Sequence, residues 1–356
     1  MITFDAVEKR YPDGTLAVES LSLELPAGKT TVFVGPSGCG KTTSLRMINR
    51  MIEPTSGRIE IDGEDVTGLK KAELRRGIGY VIQNAGLFPH RTVLQNIMTV
   101  PKLNGVSTTQ ARGRAFELLD TVGLPREFAT RFPTQLSGGQ QQRVGVARAL
   151  AASPKVLLMD EPFSALDPVV RHELQEEFAK LGPELGTTIV FVTHDIDEAV
   201  RLGDRIAVFE KGGRLAQFAT PEELLSAPAN EFVAGFVGRD RGYRALSFRE
   251  LGSVHRPLAV LTLGESTHGI GEAGAAVVDS DRRYLGWVRA GEDASDAASL
   301  GRRPVVRPGD SLRQAMDAVL TSPDGVAVSL DERGAVIGGV DLGILAPRLQ
   351  AEASAP

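Results

Sequence analysis

The sequence predicts an α/β fold whose core is a doubly wound, largely parallel β-sheet. Four short apolar runs, separated by turn residues or helical segments, have the pattern of buried parallel strands, namely Thr31–Val34, Val156–Met159, Ile189–Thr193 and Ile206–Phe209. A glycine-rich loop separates the first run from a helix-compatible segment that begins at Ser44. Between about residues 88 and 150, apolar residues recur at helical spacing, which predicts a helical subdomain.

Composition narrows the class of protein. The length of 356 residues suggests two or three domains, and 42% hydrophobic residues suffice for ordinary cores. The net charge of −5 does not indicate the positively charged surface that nucleic-acid binding requires, so no nucleic-acid partner is expected. No uninterrupted run of about 18 apolar residues occurs, so membrane attachment would come through a partner. Cys39 is the only cysteine, which excludes an intrachain disulfide and favours the cytoplasm.

The glycine-rich loop has the pattern of a phosphate-binding loop. It follows an apolar strand and precedes a helix, which is the context that makes this motif credible. Its glycines allow backbone N–H groups to converge on anionic oxygens at a helix N-terminus. The predicted nucleotide-binding residues of this loop are Gly35, Pro36, Ser37, Gly38, Cys39, Gly40, Lys41, Thr42 and Thr43. Cys39 is expected to be a small loop residue rather than a nucleophile.

A second motif indicates which kind of phosphate-loop protein this is. Ser137, Gly138, Gly139 and Gln140 open a helix and offer another set of donors, which one nucleotide cannot easily share with the first loop. With Val156–Glu161 following, the ordered set resembles the nucleotide-binding subunit of ATP-binding-cassette (ABC) transporters over residues 1 to about 237. The resemblance implies a RecA-like core, and a head-to-tail dimer in which Ser137 and Gly139 act on the γ-phosphate of ATP held by the partner.

Hydrolysis of ATP requires charge neutralisation, a held metal and a positioned water. Lys41 is placed to reach the β- and γ-phosphates, and the Thr42 hydroxyl can ligate Mg²⁺ together with Asp160. Glu161 is the expected general base. His194, after the Ile189–Thr193 strand, resembles the family's switch histidine, which contacts the γ-phosphate and orients the water.

Three further positions are assigned from the same resemblance. Gln83 resembles the lever glutamine that approaches Mg²⁺ and the attacking water, and Asp167 resembles the residue that links the two ATP sites of the dimer. Tyr11 could stack on adenine or simply pack against protein. The segment from Gly86 to Val93 corresponds to the place where family members receive a short helix of the membrane subunit.

Residues 48 to 103 are similar to the ATPases of importers for glycine betaine, carnitine, choline and related osmoprotectants. The similarity rests on segments Ile52–Gly57, Ile61–Asp65, Arg75–Gln83 and Val100–Leu103. It implies transmembrane permease subunits as partners, a substrate-binding protein as an indirect partner, and a peripheral location on the cytoplasmic face of the membrane. Asn84 departs from the pattern, because a second glutamine is expected there.

The last third of the chain contains an internal repeat at an offset of 52 residues, in which Ala276–Val288 aligns with Val328–Val340. Each copy has the pattern of a strand, a polar turn and a strand. An amphipathic helix is predicted before the second copy from Leu312, Ala315, Met316, Val319 and Leu320, whereas residues 258 to 274 show no equally clear helix. The pattern resembles a tandem cystathionine-β-synthase (CBS) domain pair with a degenerate first copy. A structural or dimer-stabilising tail and a nucleotide-binding sensor both remain open.

The predicted organisation is an ABC ATP-binding domain over 1–238, with its helical subdomain at about 88–150, an α+β CBS-like pair over 239–350, and a disordered tail over 351–356. The predicted function is ATP hydrolysis that powers quaternary amine import. Alternatives are import of another small solute such as an amino acid or polyamine, or a cassette protein outside transport. A catalytically silent regulator is disfavoured by Lys41, Asp160, Glu161 and His194.

Overall fold

The computed structural model describes residues 1–83, 85–271 and 273–351, and the chain divides into two compact units, Met1–Gly238 and Arg239–Pro356. Asn84, the departure noted in the sequence, lies outside the described residues. So does the expected tail except for Ala351, which is the last residue of a helix. None of the described helices has both the length and the apolar character that crossing a bilayer requires.

The first unit is built from strands and helices that alternate over most of its length. Its described strands are β1 (Ile2–Arg10), β2 (Leu16–Leu25), β3 (Thr30–Val34), β4 (Ser56–Ile61), β5 (Glu64–Asp65), β6 (Ile78–Val81), β7 (Val156–Asp160), β8 (Thr188–Val192), β9 (Arg205–Glu210) and β10 (Arg214–Ala219). Its described helices are α1 (Lys41–Ile48), α2 (Lys71–Gly77), α3 (Val93–Ile97), α4 (Thr99–Leu103), α5 (Thr108–Thr121), α6 (Gly138–Leu150), α7 (Pro168–Leu185), α8 (Ile196–Leu202), α9 (Pro221–Ser226) and α10 (Glu231–Val237).

The central sheet has six strands in the order β10-β9-β3-β8-β7-β6. All its neighbours pair in parallel except β10 and β9, which are antiparallel, so the predicted largely parallel sheet is confirmed. Every residue of β3, β7 and β8 is buried, as the apolar runs predict. A second, antiparallel sheet in the order β2-β1-β4-β5 adds Phe4 to the core, where its ring meets Phe33 edge-on at 6.4 Å.

This topology places the predicted site along one edge of the central sheet. Because β3, β8, β7 and β6 are parallel, the segments that follow them leave from the same side, which is where α/β sheets bind ligands. The phosphate loop follows β3, Glu161 follows β7, His194 comes two residues after β8, and Gln83 comes two residues after β6.

The stretch between β6 and β7 is helical, with α3, α4, α5 and α6 in sequence. In α5, Ala115, Leu118 and Leu119 are buried, and Val122 caps the helix end with only 7% of its surface exposed. Helix α6 begins at the second motif, because Ser137 is its N-cap.

The second unit contains β11 (Val260–Thr262), β12 (Ala275–Val278), β13 (Tyr284–Val288), β14 (Val305–Val306), β15 (Ala327–Leu330) and β16 (Val336–Val340), with helices α11 (Arg241–Ala245), α12 (Leu312–Thr321) and α13 (Leu342–Ala351). They form two three-stranded sheets of the same design, β11-β12-β13 and β14-β15-β16, each with one parallel and one antiparallel pair. Helix α12 lies between β14 and β15, whereas the described residues between β11 and β12 form no helix.

The repeat has a local physical cause in its two hairpin turns. The Asp279 carboxylate accepts hydrogen bonds from the N–H groups of Asp281 and Arg283, and the Asp331 carboxylate accepts them from Arg333 and Ala335. An aspartate that bonds the backbone two residues ahead is a standard turn former. The aligned aspartates therefore hold equivalent turns.

The predicted apolar face of α12 needs one correction. Leu312, Ala315 and Val319 are buried and Met316 is half-buried, but Leu320 is 63% exposed. The buried stripe instead includes Ala318, which lies on the other side of Val319 around the helix. Spacings of three and four define a stripe, but they do not fix where its edge falls.

Candidate functional site

The phosphate loop, residues 35–40, is closely packed at its two ends, Gly35 and Gly40. Gly40 has the left-handed backbone angle φ of 99°, and a Cβ atom there would lie 2.2 Å from the carbonyl oxygen of Ala17. Lys41, at the start of α1, is 5% exposed, and its Nζ donates hydrogen bonds to the carbonyl oxygens of Gly35 at 2.7 Å and Pro36 at 3.0 Å. The loop thus holds a buried ammonium group at a helix N-terminus, an arrangement that attracts anions.

Cys39 lies inside this loop. Its side chain is buried, and its Sγ is 3.7 Å from the Lys41 ammonium. Burial raises the pKa of the Cys39 thiol despite the opposing effect of Lys41. The thiol therefore stays protonated at neutral pH, which agrees with a packing role rather than nucleophilic chemistry.

Asp160 is the centre of a polar cluster at the end of β7. The carboxylate is 6% exposed, and its Oδ1 accepts a hydrogen bond from the Thr42 hydroxyl at 2.9 Å. Its Oδ2 accepts one from Arg46 at 3.2 Å and one from the Tyr80 hydroxyl at 3.4 Å. The structure therefore brings together two residues that the sequence had assigned to the metal, Thr42 and Asp160.

Sequence reasoning missed Arg46 and Tyr80, although signals for both exist. Arg46 follows Thr42 by four residues in α1, so both project from one face of the helix. Tyr80 pairs with Leu158 in the neighbouring strand, two residues before Asp160, so the tyrosine and the aspartate share a face of the sheet. Their hydroxyl and guanidinium groups satisfy the buried carboxylate.

The donor set fits Mg²⁺. The Thr42 hydroxyl and the Asp160 carboxylate are hard oxygen ligands in direct contact, and Mg²⁺ is usually held by one or two carboxylates together with substrate phosphates and water. Within the described ranges, no three His, Cys, Asp or Glu side chains converge on a metal position. A site here would depend on the phosphates of a bound nucleotide.

Glu161 and His194 meet above the sheet edge. The His194 Nδ1 atom lies 3.3 Å from Oε2 of Glu161, with 59% and 26% of the two side chains exposed. Glu161 has a left-handed φ of 46° and its N–H donates to the Val192 carbonyl at 3.0 Å. A positive φ in a glutamate is uncommon and occurs often at functional sites.

Among the described residues, three others that the sequence predicted make no hydrogen bond or ion pair to Glu161 or His194. Gln83 is exposed and its side chain makes no hydrogen bond to the part of the chain that the structure describes. Asp167 is the N-cap of α7, where its Oδ1 accepts from the Val170 N–H at 3.1 Å. The Tyr11 ring is half-buried with Lys9 Nζ 5.3 Å from its centroid. Their assigned roles stay predictions.

The second motif forms the capped start of α6. The Ser137 hydroxyl accepts from the Gln140 N–H, and the Gln140 side-chain oxygen accepts from the Ser137 N–H at 3.0 Å. Ser137 and Gly138 are exposed. Gly139 is buried, and a Cβ atom there would lie 2.6 Å from Cγ1 of Val170. The exposed residues present the positive end of a helix dipole outward.

A phosphate loop after the central parallel strand β3, an acidic pair at the end of β7 in the same sheet, and a capped glycine motif define the class as a nucleotide-binding cassette. A family model described as ABC transporter matches residues 18–164. The chain is 44% identical over 349 residues to the osmoprotectant import ATP-binding protein OsmV of Salmonella typhimurium, covering 94% of this chain and 91% of that protein. The chain belongs to the ABC transporter family of ATP-binding proteins.

Other relatives agree with this assignment. The carnitine transport ATP-binding protein OpuCA of Listeria monocytogenes is 54% identical over 241 residues, which is 68% of this chain. The chain spans 60% of the length of that relative. The dimeric structure of MJ0796, a bacterial ABC transporter cassette, matches with a TM-score of 0.56 and 38% identity, covering 62% of this chain and 99% of that one. The cassette fold inferred from the sequence is confirmed.

Proposed function

We propose that this chain is the ATP-hydrolysing subunit that powers import of a quaternary amine osmoprotectant through partner membrane subunits. The observation that carries ATP hydrolysis is the contact of Glu161 with His194 at the sheet edge that also holds Lys41, Thr42 and Asp160. The cargo class rests on relatives named for carnitine, for glycine betaine, carnitine and choline, and for osmoprotectants. An amino acid or polyamine remains the alternative cargo.

The chain's own residues divide the chemistry between them. Lys41 would bind the β- and γ-phosphates in place of its present carbonyl partners, and Thr42 and Asp160 would hold Mg²⁺. The metal, when bound, neutralises phosphate charge and orients the γ-phosphate. Glu161 accepts a proton from the attacking water, and His194 orients that water and contacts the γ-phosphate.

The remaining contacts come from a second copy of the chain. One nucleotide cannot easily use both the phosphate loop and the start of α6, so we assign Ser137 and Gly139 to the γ-phosphate of ATP held by the partner in a head-to-tail dimer. Gln83 approaches the metal and the water when the site closes, Asp167 links the two sites, and Tyr11 stacks on adenine. The similarity to a dimeric cassette supports this arrangement.

A groove in the helical region is the proposed seat of the membrane subunit. It has a volume of about 590 Å³, and its lining residues include Phe88, Met98 and Leu103, of which Phe88 is 39% and Leu103 62% exposed. Arg148 of α6 donates to the carbonyl oxygens of Ala85 and Gly86, both at 2.7 Å, so these hydrogen bonds join the loop after Gln83 to α6. We therefore place the protein peripherally on the cytoplasmic face of the membrane.

The groove assignment has a direct test. Phe88→Ala should weaken co-purification with the membrane subunits while ATP binding by the isolated chain is unchanged. Phe248→Ala removes an equally exposed phenylalanine from the second unit and serves as the control. Full assembly of the Phe88 variant would remove this groove as the docking site.

The second unit is proposed to be a CBS-like regulatory pair. Its two sheets of equal design and matching aspartate turns support this proposal, and a nucleotide is one candidate ligand. Deleting residues 240–356 should leave basal hydrolysis largely intact if the tail is regulatory. Loss of folding or of all ATP binding would instead make the tail a structural part of the motor, the reading that the sequence left open.

The hydrolytic assignment is tested by Glu161→Gln. The amide keeps the shape of the side chain but is a poor proton acceptor, so the variant should bind ATP, lose most turnover and accumulate as a nucleotide-bound dimer. Glu173→Gln changes an exposed glutamate on α7 and should behave as the parent does. Hydrolysis by Glu161→Gln at the parental rate would refute its assignment as the base.

A further inference from the structure

A buried carboxylic acid, Glu198, lies in the helix that follows the His194 loop. Glu198, in the first turn of α8, is 6% exposed, and its Oε1 accepts a hydrogen bond at 2.7 Å from Nε2 of Gln175, which is 7% exposed. Burial raises the pKa of Glu198, and hydrogen bonds from Thr193 and Gln175 oppose that rise. A buried charged group carries a large desolvation cost, so its retention here calls for an explanation.

One side of this acid is fixed to the His194 loop. The Asp195 N–H donates to the Thr193 hydroxyl at 3.0 Å. The Asp195 carboxylate caps α8 by accepting from the N–H groups of Asp197 at 2.8 Å and Glu198 at 3.3 Å. Because the Glu198 N–H donates to Asp195, whose own N–H donates to Thr193, the start of α8 and residues 193–195 are positioned together.

The other side is fixed to the loop that leads to Asp167. Gln175 and Arg171 are one turn apart on α7, so their side chains leave the same face. Arg171 Nη2 donates to the carbonyl oxygens of Leu166 at 3.0 Å and Ser164 at 3.4 Å. Ser164 in turn donates its hydroxyl to the Glu161 carbonyl at 2.9 Å. Helix α7 thus contacts residues 164–166 through Arg171 and contacts Glu198 through Gln175.

A small cavity joins the two sides. It has a volume of about 30 Å³, is lined by Glu161, Ser164, Arg171, Thr193, His194, Asp195 and Glu198, and is large enough for one water molecule. Arg171 and Glu198 therefore line the same cavity as Glu161 and His194.

We infer that Glu198, Gln175 and Arg171 form a positioning cluster that makes the His194 loop and the 164–167 loop move as one body. A buried and hydrogen-bonded network of this kind resists independent motion of its members. A movement of His194 in the first site is therefore accompanied by a movement of Asp167, which faces the second site in the proposed dimer. The inference rests on the proposed function, because coupling between sites has meaning only in an ATP-hydrolysing dimer.

The test uses the full chain reconstituted with its membrane subunits and measures hydrolysis against ATP concentration. Glu198→Ala should lower kcat by roughly tenfold or more, because a small misplacement of catalytic groups is costly. Its KM for ATP should change by less than about threefold, since no ATP contact is removed. The Hill coefficient for ATP should fall toward about 1, because the two sites would no longer be coupled.

Two matched variants separate positioning from general damage. Glu198→Gln keeps an oxygen that can accept from Gln175 and should retain most of the parental kcat and Hill coefficient. Glu173→Ala removes an exposed glutamate of α7 and should have no effect. If Glu198→Ala does not fold, Arg171→Lys keeps the charge but loses the Nη2 hydrogen bonds to Ser164 and Leu166, and the same fall in kcat and Hill coefficient is expected.

Parental kcat and Hill coefficient in folded Glu198→Ala, or equal loss in Glu198→Ala and Glu198→Gln, would overturn the positioning role. A fall in ATP affinity alone would do the same, because it indicates damage to the phosphate loop. Absence of hydrolysis in the parental complex is a different failure. It would refute the proposed function itself, and the inference would fall with it.

Discussion

Replacing Gly40 with alanine tests whether the phosphate loop depends on close backbone packing. The substitution places a Cβ on a residue with φ of 99°, where left-handed backbone costs a non-glycine residue about 1–2 kcal/mol. That Cβ would also lie 2.2 Å from the Ala17 carbonyl oxygen and 3.1 Å from Cα of Gly213. Relieving such overpacking requires backbone shifts that typically cost about 1–3 kcal/mol.

Gly38 is the matched control for this change. It also has positive φ, 76°, but no atom lies within 4 Å of the position that its Cβ would occupy. Gly38→Ala should therefore lower the free energy of unfolding by about 1–2 kcal/mol. Gly40→Ala should lower it by about 2–5 kcal/mol, which is the same backbone strain with the overpacking added.

Urea unfolding of the nucleotide-free full chain, followed by far-UV circular dichroism, measures both variants under the same conditions. Omitting nucleotide keeps any clash with bound phosphates out of the comparison. The two variants should differ by about 1–3 kcal/mol, with Gly40→Ala the less stable. Equal losses, or a Gly40→Ala variant as stable as the parent, would refute the packing argument.

Two further predictions concern buried charges. Burial raises the pKa of Glu198 above its ordinary value of 4.5, so the folded state binds this proton more tightly than the unfolded chain does. The folded state therefore loses stability as the pH rises from 4.5 through the raised pKa of Glu198. Glu198→Gln should therefore raise the urea midpoint above that of the parent by more at about pH 8 than at about pH 4. The reverse order would contradict the assignment. Arg303, whose side chain is 3% exposed, pairs with Asp324, and its guanidinium carbon lies 3.9 Å from the centroid of the Trp287 ring, so Arg303→Met should cost about 1–2 kcal/mol by removing the main partner of a carboxylate that is 32% exposed. Fluorescence of Trp287, the only tryptophan, follows this loss, and the exposed Arg302→Met should show none.

The strands and the contact between Glu161 and His194 could be predicted from the sequence because each depends on a local pattern. Apolar runs such as Thr188–Val192 become buried parallel strands, and parallel strands deliver their following residues to one edge. The meeting of Glu161 and His194 follows from that rule. The aligned Asp279 and Asp331 likewise form equivalent turns in both copies of the repeat.

Partner choice among distant side chains could not be predicted in the same way. Asp160 is satisfied by Arg46 and Tyr80 from two other elements, and Glu198 is satisfied by Gln175 from a third. The hydrogen-bond partner of a buried side chain depends on side-chain length and on the packing around it, and the spacing of residues along the sequence specifies neither. Gln83 and Tyr11 are a separate case, because the predicted partner of Gln83 is a metal and that of Tyr11 is a nucleotide, and neither partner belongs to the chain.

ATP hydrolysis by the full complex, measured with separately added cargoes, tests the central claim most directly. The chain would be reconstituted with its membrane subunits and binding protein, and glycine betaine, choline, carnitine or an unrelated amino acid would be added in turn. Stimulation by a quaternary amine, abolished by Glu161→Gln, is the predicted result. Stimulation only by the unrelated amino acid, or none in a fully assembled complex that binds ATP, would contradict the account of this chain as the motor of a quaternary amine importer.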